Sequence, residues 1–234
     1  HILMNDSFVD DLNSGALTKE QLKQGITEVK EILNHIGMDT KYVASSGEAP
    51  PPEASKDGIS MTTLGYKWKP ESDVLHLNLP EVNFHKKVRG TKPSNQTPAT
   101  TPSDIKNLCT SMSSMTRQHI AAKCGELFDP LGVAEPIKAF YKRSLSKLNA
   151  LDWKDILSST EKDFWVQKFM HWPDLAKVSF PRSTVPEDAC IPLQPRLIVC
   201  SDSSQDCGGA CVYLSFKLQT GIWSSSILTA KSRL

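Results

Sequence analysis

The hydrophobic pattern of this chain changes period at Arg196. Upstream, apolar residues recur at spacings of three and four, in blocks separated by proline-rich stretches. Downstream they read as strands over Arg196–Ser201, Gly208–Lys217 and Gly221–Leu228, with Asp202 and a Gly208-Gly209 turn between the first two. A period near 3.6 builds helices with one apolar face, and a period of two builds half-buried strands. Helices followed by three consecutive strands predict an α+β chain that ends in a sheet.

The helical blocks have recognisable ends. Thr18–Met38 carries Leu22, Ile26, Val29, Leu33 and Ile36 at helical spacing. Thr18 can cap it with Gln21 three residues on, and Gly37 can stop it. Lys41–Ala44 reads as a short strand, and Ser45–Gly58, with Pro50-Pro51-Pro52, as a loop. Met61–Lys69 and Val74–Leu79 predict a hairpin that turns at Pro70-Glu71-Ser72-Asp73. After a Pro/Thr/Ser linker over Gly90–Ser103, one helix is predicted from Ser103 to Leu127. It ends at Asp129-Pro130-Leu131-Gly132. Further helices are predicted over Glu135–Leu148 and Ser159–Phe169, and Pro173–Pro195 is a connector.

Composition decides less. The hydrophobic fraction of 39% and charged fraction of 23% are those of an ordinary globular protein. The net charge of +1 hides an asymmetry. Between Phe84 and Lys123 stand Lys86, Lys87, Arg89, Lys92, Lys106, Arg117 and Lys123 against the one acid Asp104. Such a local field attracts a polyanion, although a solvated basic loop reads the same way. No apolar run is long enough to span a membrane. The opening residues lack a signal peptide's basic start and apolar stretch. His1 is no initiator, so the chain reads as a piece of something longer. The six cysteines form no Cys-x-x-Cys pair and no zinc spacing with histidine, so buried free thiols are expected.

Two positions could carry chemistry. Ser7-Phe8-Val9-Asp10-Asp11-Leu12 places adjacent carboxylates between strand-forming residues, at the tip of a predicted hairpin. Adjacent carboxylates repel, and a divalent cation relieves that repulsion. Magnesium takes such oxygen ligands and keeps positions open for phosphate oxygens. Asp202 follows a strand and precedes a small-residue turn. A solvated turn is the competing reading for both.

Phe8-Val9-Asp10-Asp11 resembles the aromatic-x-Asp-Asp box of reverse transcriptases. Further stretches resemble the Pol polyprotein of Bel/Pao-type LTR retrotransposons, in the same order. They are Leu64-Gly65-Tyr66-Lys67-Trp68, Phe128-Asp129-Pro130-Leu131-Gly132, Leu151-Asp152-Trp153, Pro181-Arg182, Ser201-Asp202-Ser203-Ser204 and Leu228-Thr229-Ala230-Lys231-Ser232-Arg233. The resemblance implies the end of a reverse-transcriptase palm with a primer-grip-like hairpin over 1–82. It implies a helical thumb and connection over 83–172, a connector over 173–195, and the first three antiparallel strands of an RNase H-like α/β domain over 196–234. Asp10 and Asp11 would hold magnesium in the polymerase, and Asp202 in the nuclease. Leu64, Gly65, Tyr66, Lys67 and Trp68 would touch the primer. Lys86, Lys87, Arg89, Lys92, Lys138, Lys142 and Arg143 would bind the template-primer duplex.

The implied parent copies RNA into DNA and cleaves the RNA strand with two-metal sites. Its implied partners are an RNA/DNA duplex and the rest of the polyprotein, with no membrane. Its implied location is a cytoplasmic virus-like particle or the nucleus. The other ligands of both sites are expected before His1 and beyond Leu234, so this chain alone is expected to be inactive. The open sheet edge invites self-association. Leu64, Tyr66 and Trp68 also fit one buried strand face, and Lys138, Lys142 and Arg143 also fit a solvated helix surface. One alternative is a nucleic-acid-binding relic without catalysis. A second is an aspartic peptidase, because related sequences carry the name Pao retrotransposon peptidase. That site needs Asp-Thr-Gly or Asp-Ser-Gly, and Asp202-Ser203-Ser204 is the nearest approach.

Overall fold

Two units emerge from the backbone contacts, residues 1–74 and 75–234. The computed structural model describes residues 7–8, 11–16, 18–79, 82, 84 and 101–234.

In the first unit β1 (Ser7–Phe8) pairs antiparallel with β2 (Asp11–Leu12), and Phe8 stands opposite Asp11. Helix α1 (Lys19–His35) starts where its cap predicts, with the Gln21 amide donating to Thr18 Oγ1 at 3.2 Å. It stops at Gly37, whose φ of +76° suits glycine. There the Met38 amide turns back to the Leu33 carbonyl at 2.9 Å. The strand expected over Lys41–Ala44 does not form. A run this short becomes a strand only against a partner, and none pairs with it among the described residues.

Met61–Lys69, expected as one hairpin arm, is itself a hairpin. β3 (Met61–Thr63) pairs with β4 (Tyr66–Lys69), Met61 opposite Trp68 and Thr63 opposite Tyr66. Leu64 and Gly65 form the turn with φ of +46° and +81°. Positive φ at both central residues is what a two-residue hairpin turn of matching twist requires. Alternation buries Met61, Tyr66 and Trp68. The Trp68 indole donates to Asp73 Oδ1 at 2.9 Å. Asp57 braces the approach to β3 by accepting the Ser60 hydroxyl and amide, both at 2.7 Å, and the Ile59 amide at 3.0 Å.

The second unit begins in β5 (Val74–Leu77), the neighbour of β6 (Ser179–Pro181). Its helices are α2 (Pro102–Ser111), α3 (Arg117–Gly125), α4 (Glu135–Ser146), α5 (Ser159–Met170) and the single turn α6 (Trp172–Leu175). The one helix expected from Ser103 to Leu127 is therefore two. Thr116 restarts the chain: its Oγ1 accepts the His119 amide, and His119 Nδ1 accepts the Thr116 amide at 3.2 Å. Beside this break the Leu157 amide donates to the Met115 carbonyl at 2.9 Å. Thr101, rather than Ser103, caps α2 in a reciprocal box with Asp104.

An aromatic cluster fills the helical core. Trp165, Phe169, Tyr141 and Trp172 are buried, and the Tyr141 and Trp172 rings stack at 6.2 Å and 11°. Each such side chain stabilises the fold by roughly 1.5–3 kcal/mol. The final sheet has the order β7 (Arg196–Ser203), β8 (Gly208–Lys217), β9 (Trp223–Arg233), all antiparallel. β9 runs five residues past the expected end at Leu228, because the first half of β8 needs a partner as well. The helices and this sheet, expected as separate parts, lie in one unit.

Candidate functional site

Two stretches far apart in sequence, Phe128–Gly132 and Leu228–Arg233, meet in the second unit. Asp129 is buried. Its Oδ1 accepts the amides of Gly132 and Val133, both at 3.1 Å, and its Oδ2 accepts Ala134 at 2.8 Å. These amides precede α4, where no intrahelical acceptor serves them, and the Gly132 amide also reaches the Asp129 carbonyl at 3.3 Å. The turn so formed presses Gly132 against β9. A Cβ on Gly132 would lie 2.0 Å from the Ala230 carbonyl oxygen, and its φ is +83°. Beside it, the Ala230 amide donates to the Leu131 carbonyl at 2.8 Å.

One turn on, Glu135 closes the junction. It is buried at the first position of α4, where a negative charge suits the helix dipole. Its Oε1 accepts the Ser232 hydroxyl at 2.6 Å, the Ser232 amide at 3.1 Å and Lys142 Nζ at 2.9 Å. Lys138 Nζ lies 3.3 Å from Oε2. Burial pushes the Glu135 carboxyl up. The Ser232 hydroxyl, Lys142, the Ser232 amide and Lys138 together outweigh burial and hold its pKa at about 2.

The sheet carries this junction across to Asp202. Asp202 pairs with Gly209, and Gly209 pairs with Ser232. Directly opposite residues share a face, so Asp202 and the Ser232 gripped by Glu135 lie on one face. Gly209 between them has no side chain. Asp202 is exposed, and among the described residues its hydrogen-bond partner is the Ser203 amide, 2.8 Å from Oδ1. The following turn is closed by Ser204, whose amide donates to the Cys207 carbonyl at 2.9 Å. Asp206 in this turn pairs with Arg143 of α4.

The expected duplex-binding cations of α4 are thus engaged within the protein. Lys138 and Lys142 serve Glu135, and Arg143 serves Asp206. Two further members of the basic stretch are also occupied. Lys123 is buried and pairs with Glu126. Arg117 donates to the Leu151 carbonyl and Asn149 Oδ1, both at 2.6 Å, and stacks 4.5 Å from the Trp153 ring centroid. Lys86, Lys87, Arg89 and Lys92 lie outside the described residues.

In the first unit, Tyr66 and Trp68 are buried in the β3–β4 hairpin, as the strand-face reading expects, whereas Leu64, expected on the same face, is exposed in the turn. Lys67 lies 3.2 Å from Asp57, and Leu64 and Gly65 make the turn. Asp10 lies outside the described residues. The backbone of Asp11 is in β2, and its side chain also lies outside the description.

Among the described residues no group of three His, Cys, Asp or Glu side chains is placed to hold a metal ion. Asp202 by itself therefore does not make a magnesium site. No helix among the described residues is long and apolar enough to cross a membrane. Asp129 and Ser232 stand in stretches that carry the family resemblance, but neither they nor Glu135 have a role legible from the sequence. The available signal was the three-residue spacing of Glu135 and Lys138, which puts that cation within reach of the carboxylate on a helix face, whereas Lys142, seven residues on, joins only in the folded structure.

Residues 116–234 match a family described as Pao retrotransposon-like RNaseH-like domain. The match opens at Thr116, the cap of α3, and takes in both the Asp129–Glu135 junction and the whole β7–β9 sheet. No curated protein and no solved structure matches the chain.

Proposed function

The chain belongs to the Pao retrotransposon-like RNaseH-like domain family, a region of retrotransposon Pol, and from that membership we propose that it is the nuclease side of an RNA-directed DNA polymerase. In this reading Asp202 supplies one carboxylate to a metal-dependent cleavage of the RNA strand in an RNA–DNA hybrid. The observation that carries it is the place of Asp202. It is an exposed acid near the end of β7, opposite the bare Gly209, on the face where α4 is anchored.

The described residues do not fit a complete magnesium site. A two-metal nuclease holds its ions between several carboxylates, so in this reading the chain contributes Asp202 and the other carboxylates come from elsewhere in Pol. What its own residues do is position that acid. Asp129 shapes the turn before α4, Gly132 allows the turn to touch β9, and Glu135 grips Ser232. The polymerase role of Asp10 and Asp11 rests on the Phe8-Val9-Asp10-Asp11 resemblance alone. Lys138, Lys142 and Arg143 pair with acids of this chain, Lys142 and Arg143 remaining partly exposed, so a duplex contact by α4 rests on the family resemblance alone.

The test is hybrid cleavage with magnesium. The chain alone is expected to cut nothing. A longer Pol protein that does cut should lose cleavage on Asp202→Asn while keeping hybrid affinity. Cleavage by the chain alone, or an active longer protein indifferent to Asp202→Asn, overturns the reading.

A further inference from the structure

Six free cysteines occur among the described residues, and four have a plain structural explanation. Burial pushes the Cys109 thiol up to about 11 and the Cys124 thiol up to about 12, which makes both poor nucleophiles. Cys190 donates to the Leu218 carbonyl at 3.2 Å, and Cys207 to the Gly208 carbonyl at 3.6 Å.

Cys200 and Cys211 are different. They stand directly opposite each other on β7 and β8. Opposite residues of an antiparallel pair have Cα atoms about 4.5–5.5 Å apart. A disulfide spans Cα separations of about 4.4–6.8 Å. Both side chains leave the same face. Cys200 is exposed and Cys211 half-buried, so a reagent can reach the pair. Tyr213 lies two residues along from Cys211 on that face, and its hydroxyl is pushed up by a hydrogen bond to Cys211, the Cys211 charge, burial and, last, the Cys200 charge.

We propose that Cys200 and Cys211 form a redox-active pair that closes a cross-strand disulfide, with a low-molecular-weight disulfide as oxidant. The Cys200 thiolate attacks one sulfur of the oxidant, and the other leaves as a thiolate. The Cys211 thiolate then attacks the Cys200 sulfur and expels the second small thiolate. Two protein thiols are oxidised, one small disulfide is reduced to two thiols, and the two protons pass to the leaving thiolates. The new bond ties the edge strand β7 to β8 two residues from Asp202.

The experiment treats the full chain with glutathione disulfide. Free thiols, titrated after denaturation, should fall from six to four as two are consumed. The intact mass should show the loss of two hydrogens and no added glutathione. Fragmentation should place the link between Cys200 and Cys211. A Cys207→Ser variant should close as the natural chain does. Cys200→Ser and Cys211→Ser should each stop at a mixed disulfide on the remaining cysteine. The proposal is overturned if the natural chain keeps six thiols, if it carries glutathione on both residues without a link, or if the link maps to Cys207. The natural chain alone decides among these outcomes, whatever the variants do.

Discussion

Replacing Gly132 by alanine tests the junction that positions the sheet. Two costs arise at once. The left-handed φ of +83° penalises any Cβ, by roughly 1–2 kcal/mol. The new Cβ also meets the Ala230 carbonyl oxygen at 2.0 Å, which is backbone and cannot rotate away. β9 must move off the turn, which breaks the 2.8 Å hydrogen bond from Ala230 to Leu131 and loosens Ser232 from Glu135. A neutral hydrogen bond contributes about 0.5–1.5 kcal/mol and one to a buried charge about 1.5–3 kcal/mol. The expected destabilisation is therefore about 3–6 kcal/mol, a large part of a typical domain's stability. Gly221 provides the control. Its φ is +85°, but nothing lies within 4 Å of its Cβ position, so Gly221→Ala should show the backbone cost alone, about 1–2 kcal/mol. Urea unfolding of both variants, with amide exchange read at Ala230 and Ser232, separates the two costs. Equal destabilisation within about 0.5 kcal/mol, with unchanged exchange at both amides, would refute the reasoning.

Glu135→Gln removes the charge that Lys138 and Lys142 share and should destabilise the second unit by about 1–3 kcal/mol in urea unfolding at neutral pH. The folded Glu135 carboxyl, at about 2, lies below its ordinary 4.5. Its contribution is therefore present above pH 4.5 and lost as the pH falls towards 2. Asp57 and Asp174 are also held low, by the Ser60 hydroxyl and by Lys177 respectively, so the difference between variant and natural chain is the quantity to follow. That difference should shrink across this window, and a constant difference would count against the network. Arg117→Lys loses the planar fork shared by Leu151 and Asn149 and the stack on Trp153, and should cost about 1–2 kcal/mol by the same assay. Gly125→Ala, at the end of α3 with open space and ordinary φ, should instead stabilise by about 0.4–1 kcal/mol in thermal unfolding.

Much of the architecture was legible because it is set locally. The cap at Thr18, the stop at Gly37 and the three final strands follow from short-range patterns that few alternatives satisfy. The errors fell where a partner decided. Met61–Lys69 alternates like one strand, yet Leu64-Gly65 turns it back, a geometry fixed by two positive φ angles that the alternation hides. Residues 103–127 keep a helical period through the break at Met112–Thr116, because the apolar stripe resumes in phase after Thr116.

The sequence by itself determined the class of the chain, its family resemblance and the identity of Asp202 as the acid on the first strand of the sheet. Only the tertiary structure decided the partners of the charges. Lys138, Lys142 and Arg143 look like a phosphate-binding face along the chain, and the fold brings Glu135 and Asp206 beside them as ion-pair partners. The same holds for Gly132, which is an ordinary turn glycine in one dimension and a point of contact with Ala230 in three. The physical reason is range. Periodicity and capping act within a few residues, whereas the environment of a charge or a Cβ is set by groups about a hundred residues away.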